Sequence, residues 1–272
     1  VWTCEAPRAQ DVWLLPSGDV FFCHQLGAKL VTPDLGYLKR REKDPNATDG
    51  TKVVWQFDTP APNEVHACQP LPEGRFLVGV SGETPVIHEL DAQGRVVLTM
   101  PVQTNQTKIH SQMRSIRKTT RGTYLVGQNM EGVVREYDAS GKVLREISLE
   151  GSNPYLALPL PDGNVLIACG DGHKVVEIDP DGKSVWQLDR DDIAGNPLCF
   201  VAGIQQLPNG NRVISNYSGG NHGTPGAQPQ VFEITRDKQL VWEFDDFPRH
   251  QHFTQVQCLD IHGDVTQGEI LK

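Results

Sequence analysis

No stretch of the sequence approaches the roughly 18 consecutive apolar residues that a membrane-crossing helix requires, and no charged-then-apolar leader stands at its start. A membrane span is therefore not expected. Cationic stripes are also missing: 25 Lys and Arg stand against 34 Asp and Glu, for a formal net charge of -9. Binding to a phosphate backbone needs clustered cations that displace counterions, so a nucleic-acid partner is excluded. The six cysteines, Cys4, Cys23, Cys68, Cys169, Cys199 and Cys258, include no CxxC pair and no Cys/His pair at zinc spacing. All but Cys199 sit in strand-like apolar runs and read as small buried hydrophobes, with one or two disulfides left open. The numbering also lacks an initiator Met. A removed signal peptide, a periplasmic or extracellular location and a monomer are the expectations.

What is present is a repeat. LPSGDVFF (15–22) recurs as LPEGRFLV (71–78), RGTYLV (121–126), LPDGNVLI (160–167), LPNGNRVI (207–214) and, more faintly, IHGDVT (261–266). The spacing of these phrases centres on about 40 to 50 residues, the length of a propeller blade. Each middle copy is followed by a second hairpin: IHELDAQGRVVLTM (87–100), VREYDASGKVLREI (134–147), VVEIDPDGKSVWQL (175–188) and VFEITRDKQLVWEF (231–244). Asp-rich and Gly-containing turns accept the positive φ of a tight antiparallel connection, and alternating Val, Ile, Leu and Trp suit a half-buried strand. Two hairpins make one four-stranded unit. Counting VWTC (1–4) as an outer strand and TQVQCLD (254–260) as an inner one brings both sets to six. The expectation is an all-β six-bladed β-propeller with four antiparallel strands per blade, forming a single domain over residues 1–272. The N-terminal strand would close the ring by joining the C-terminal blade, leaving no long open sheet edge.

The pattern L-P-[DN]-G-N-x-L followed by D-x-x-G-K-x-V-W resembles the PQQ-like and arylsulfotransferase-like propeller repeats over essentially the whole chain. The resemblance implies the fold. The arylsulfotransferase-like proteins imply catalytic histidines and an arginine at the channel mouth, which His66 in NEVHACQPLPEG and His110 with Arg114 in KIHSQMRS match; their paired-His and His-Asn motifs are not found in order. PQQ is not an expected cofactor, because the adjacent cysteines and Trp-docking repeats of quinoprotein dehydrogenases are missing.

Function on a rigid scaffold concentrates in irregular loops. Aligning the inner strands puts Val12, Cys68, Met113, Ala157, Ile204 and Val256 toward the blade cores, and their flanking residues, including Asp11, Gln112, Arg114 and Gln255, in the channel. Asp11 and Arg114 could form a charge pair there. The long irregular loops are expected at one end, with the segment 35–51 a solvated loop at the other. Histidines gather at the irregular end: His24, His66, His110, His222, His250 and His252. Near neutral pH a histidine can be a base, a nucleophile or a metal ligand, although no HxH or HxxxH spacing specifies a metal.

The residues give two readings. One is a secreted propeller that binds a small polar ligand, such as a glycan, using Asp11, His24, Gln112, Asn129, Asn216, His222, His252 and Gln255. The other is an enzyme at the same mouth, a carbohydrate lyase or group transferase, with His66 or His110 as base or nucleophile and Arg114 steadying an anionic group. A protein-interaction scaffold is disfavoured, because the loops are too polar to form an apolar patch. Rings of His66 and His110 standing more than about 10 Å apart would rule out a shared catalytic site.

Overall fold

A computed structural model describes residues 2–4, 6–218, 228–250 and 252–272. Among these residues, five four-stranded antiparallel sheets follow one another along the chain. The first blade comprises Val12–Leu14, Val20–His24, Gly27–Thr32 and Lys52–Asp58, and the second Glu64–Leu71, Arg75–Ser81, Val86–Leu90 and Val96–Pro101. The third comprises Ser115–Lys118, Tyr124–Gln128, Val133–Tyr137 and Val143–Ser148, and the fourth Leu156–Pro159, Val165–Ala168, Val175–Ile178 and Ser184–Leu188. The fifth holds Phe200–Gln206, Arg212–Tyr217, Val231–Ile234 and Leu240–Phe244.

The local chemistry follows the repeated phrases. The first turn of every blade places a glycine at positive φ (Gly18, Gly74, Gly122, Gly163 and Gly210), which a side chain there would strain. In the fourth and fifth blades the residue after it reaches a third-strand glutamate: Asn164 Nδ2 donates to Glu177 Oε1 (2.8 Å) and Asn211 Nδ2 to Glu233 Oε1 (2.6 Å). The Asn of the LPxGN phrase thus ties the first hairpin to the second. Apolar side chains fill the gaps between sheets. Phe76 of the second blade packs against Phe21 and Trp55 of the first, at ring separations of 4.6 and 4.3 Å.

The expected sixth blade does not form, so this is a five-bladed propeller. Among the described residues the sheets number five, and residues 254–258, expected as the sixth inner strand, contain no strand. The N-terminal closure is corrected as well. Trp2–Cys4 form no strand, and Trp2 Nε1 donates to Thr51 Oγ1 (2.8 Å) beside the first blade instead of pairing with the segment around Gln255; Val1 lies outside the described residues.

Closure uses side-chain amides instead. Gln69 Oε1 accepts from the backbone N–H of Lys118 in the next blade (2.7 Å). At the same repeat position Gln205 Oε1 accepts from Cys258 N (2.8 Å), and Gln257 Oε1 accepts from Leu14 N (2.9 Å) while its Nε2 donates to Leu14 O (3.2 Å). Residues 254–258 therefore bridge the fifth blade to the first with the spacing of an inner strand but without sheet partners.

The third blade corrects the expected faces. Cys68, Ala157 and Ile204 pair with Val78, Ile167 and Ile214, and their counterpart is Ile116 opposite Val126, not Met113. This repeat has Thr119-Thr120 where the others have Leu-Pro, and without that anchor the expected register ran three residues early. The arginine in the channel is consequently Arg117. Residues 35–51 also differ from a plain loop: Tyr37–Lys43 form a helix with no buried residue.

Candidate functional site at the channel mouth

At one end of the channel every charge has a partner. Arg117 Nη1 donates to Asp11 Oδ2 (2.8 Å), and Arg117 Nε donates to Lys272 O (2.6 Å). Lys272 Nζ donates to Val12 O (2.5 Å), stands 3.6 Å from Asp11 Oδ1 and sits 4.0 Å from the centre of the Trp13 ring. Burial lowers the Lys272 ammonium to about 8. The expected pairing of Asp11 with Arg114 is therefore replaced by Asp11 with Arg117, deep in the fold. A cavity of about 370 Å³ opens beside this cluster. Its other cations are also paired, Lys118 with Glu89 and Arg121 with Glu136.

The opposite end is built differently. His66 lies in the first strand of the second blade, while His110 sits in a short 3₁₀ turn, Ile109–Ser111, rather than at the start of a strand. Glu64 joins them: its Oε2 is 2.7 Å from His66 Nε2 and 2.7 Å from His110 Nδ1. The two rings stand edge to face with centroids 4.8 Å apart, well inside the separation at which a shared site would fail. An ionised carboxylate only accepts, so both of those ring nitrogens carry the proton. Burial pushes the Glu64 carboxyl up, but the hydrogen bonds from His110 and His66 outweigh it and hold it below its usual value.

His66 is 2% exposed. Burial first, then the Arg114 charge, depress its imidazole to about 3, against the opposing hydrogen bond to Glu64. The same two causes lower His110. Both rings are therefore neutral near pH 7. Among the described residues Nδ1 of His66 is buried without a hydrogen-bond partner, and the half-exposed His110 ring lines the mouth.

Two adjoining cavities, of about 490 and 730 Å³, share Gln10, Lys108, His110, Tyr217 and Thr254. Arg114 reaches the smaller one with its guanidinium 5.7 Å from the centre of the Tyr155 ring. Its Nε is buried without a hydrogen-bond partner, and no carboxylate among the described residues pairs with Arg114 or Lys108. Tyr155, Phe200, Tyr217 and His252 form a chain of ring contacts at 5.0, 5.8 and 5.1 Å along the wall.

The other expected site residues divide. Asn129 and His252 line the mouth, Asn129 with its Oδ1 unbonded. Gln112 is a buried clamp on Gly82 and Gln106, and Asn216 is a buried clamp on Cys199 and Pro197. Gln255 packs against Gly203, where a Cβ would stand 2.2 Å from Gln255 Oε1. His24 faces Asp58 at 3.9 Å and lines neither mouth cavity, and His250 bonds Asp246 (2.9 Å). His222 lies outside the described residues. Sequence reasoning missed Glu64, although Glu64 and His66 stand two apart in one strand, the spacing that puts two side chains on one face. It also missed Lys108, Tyr155 and Tyr217, which share no repeat position.

Known structures share this architecture. A protein of unknown function from Bacteroides caccae is 28% identical, with a TM-score of 0.76 over 91% of this chain and 85% of its own. A streptogramin B lyase is 15% identical with a TM-score of 0.57, covering 86% of this chain and 68% of its own. Virginiamycin B lyase from Staphylococcus aureus, as a catalytically inactive histidine-to-alanine variant with quinupristin, is 13% identical with a TM-score of 0.59, covering 88% and 70%. The two lyases carry the fold argument alone. The likeness to PQQ-like and arylsulfotransferase-like repeats holds here at the level of the propeller. No curated protein matches the sequence. A family model described as Mal s 1 allergenic protein-like matches residues 46–237, and the chain belongs to this Mala_s_1-like family.

Proposed function

We propose that the mouth binds a small polar ligand by an anionic group, with Arg114 as the anchor and the Tyr155 to Tyr217 wall as a platform for its ring. One observation carries this reading: in a chain of net charge -9, the mouth presents Arg114 and Lys108 with no carboxylate partner among the described residues. A guanidinium held in place over an aromatic ring and short of hydrogen-bond acceptors is suited to a carboxylate, sulfate or phosphate, which accepts in the plane of its donors. Amides and hydroxyls from Gln10, Gln106, Ser111 and Thr254 suit the rest of a sugar-sized ligand.

A second reading, catalysis at the same place, is favoured by the Glu64 contact to His110 Nδ1. That contact fixes the tautomer and leaves Nε2 as a neutral acceptor at the cavity, the arrangement of a general base. The two lyases among the structural neighbours are consistent with acid–base work on this scaffold.

Isothermal titration with a matched pair, galacturonate and galactose, tests the binding reading. The acid is expected to bind at least about tenfold more tightly than the neutral sugar, and Arg114→Gln to erase that preference, since a charge-assisted hydrogen bond contributes about 1.5–3 kcal/mol. Equal binding of the two sugars, or a preference that survives Arg114→Gln, would overturn it.

A further inference from the structure

The Glu64, His66 and His110 cluster is built more tightly than an anion anchor requires. We propose that these three side chains hold a divalent transition-metal ion of the Zn²⁺ class, through one Glu64 oxygen, His66 Nε2 and His110 Nδ1, with its open positions facing the mouth. Their donor atoms all lie within 4.8 Å of one another, one carboxylate and two imidazoles from three positions on two chain segments. Two His and one carboxylate is an established donor set for open, three-residue metal sites, in which water or ligand takes the remaining positions.

Two features favour an ion over a purely structural hydrogen-bond knot. Glu64 divides its oxygens: Oε2 meets both imidazoles, while Oε1 lies 3.7 Å from Arg8 Nη1, an outer contact that orients the carboxylate. The separations of 2.7 Å from Oε2 to each ring nitrogen are also close to the spacing of neighbouring ligands on one ion. Metal–ligand distances of about 2.0–2.2 Å ask those pairs to open by roughly half an ångström. On metal binding the two N–H protons shift to the other ring nitrogens, and each lone pair turned toward Glu64 becomes a ligand.

Arg114 gives the ion a purpose. A cation beside a metal is unfavourable until an anion lies between them, so an anionic ligand bridging metal and guanidinium would relieve the repulsion. Metal and ligand would then strengthen each other's binding by the same factor. This part rests on the anion-binding reading; the metal site itself does not. An ion on His110 Nδ1 also replaces the general-base role, because Nε2 then carries the proton.

Titration of the full chain with Co²⁺, followed by its visible d–d absorption, and equilibrium dialysis with Zn²⁺ test the site. One ion per chain is expected. Affinity should fall at least about tenfold in His110→Ala and in Glu64→Gln, both partly exposed positions whose folding is checked by circular dichroism. Failure to bind either ion, or unchanged binding in both variants, would overturn the metal site. Galacturonate is expected to alter the Co²⁺ spectrum and to raise metal affinity in the wild type but not in Arg114→Gln. Stoichiometric metal without that coupling supports the site and overturns the bridging of metal and Arg114 by one anion; galacturonate binding without metal uptake supports the anion reading and overturns the metal site.

Discussion

The two ends of the channel hold similar residues and use them in opposite ways. At the end that holds Asp11, the residues Asp11, Arg117, Lys272 and Trp13 satisfy one another at distances down to 2.5 Å, nearly all of them buried. At the mouth Glu64, His66 and His110 are just as close-knit, but among the described residues the neighbouring Arg114 Nε and His66 Nδ1 lack partners and Lys108 has no counter-charge. Complete pairing marks a structural cluster. Incomplete pairing beside a cavity marks a place that something else completes.

The largest expected effect lies at the Asp11 end. Asp11→Ala leaves Arg117 and Lys272 buried without their counter-charge, which should cost about 3–5 kcal/mol of unfolding free energy by urea titration. A loss below about 1 kcal/mol would mean that this cluster is no more structural than the mouth.

The next effect is a pH dependence. The folded ammonium of Lys272 sits at about 8, below its unfolded value of 10.5, so between those limits the unfolded chain binds more protons. The penalty of burying the charge is therefore complete below about 8 and disappears as pH rises through the window. The stability of the wild type relative to Lys272→Met should climb across that range. A flat difference would show that Asp11 fully compensates the charge.

The smallest effect is expected at the mouth. Arg114→Gln, which breaks no ion pair among the described residues, should change stability by less than about 1 kcal/mol while removing the preference for an anionic sugar. A large loss of stability would erase the contrast between the two ends.

Legibility in the sequence followed the repeat. Four-stranded blades, their hairpins and their glycine turns were readable because each turn phrase recurs in a position whose φ or side-chain partner demands it, as Gly163 and Asn164 illustrate. Blade number was not. The phrases at 1–4 and 254–260 look like strands, but strand formation needs neighbours to pair with, and among the described residues neither 2–4 nor 254–260 pairs as a strand. Trp242 shows the same dependence. Trp55 and Trp186 each donate Nε1 to a carbonyl on the next blade, Asp91 O and Arg236 O, whereas Trp242, on the last blade, stays 48% exposed. The histidine pair was readable as residue types gathered at one end; its partner Glu64 and the switch from Arg114 to Arg117 in the channel depended on register.

The sequence by itself determined the local units, because turn chemistry and alternation act over a few residues. Tertiary structure alone decided how many units complete the circle, that Gln205 and Gln257 staple it shut, and that Glu64, His66 and His110 converge from two chain segments. Those outcomes depend on contacts between residues far apart in the chain, and a repeat pattern carries no record of which distant groups will find a partner.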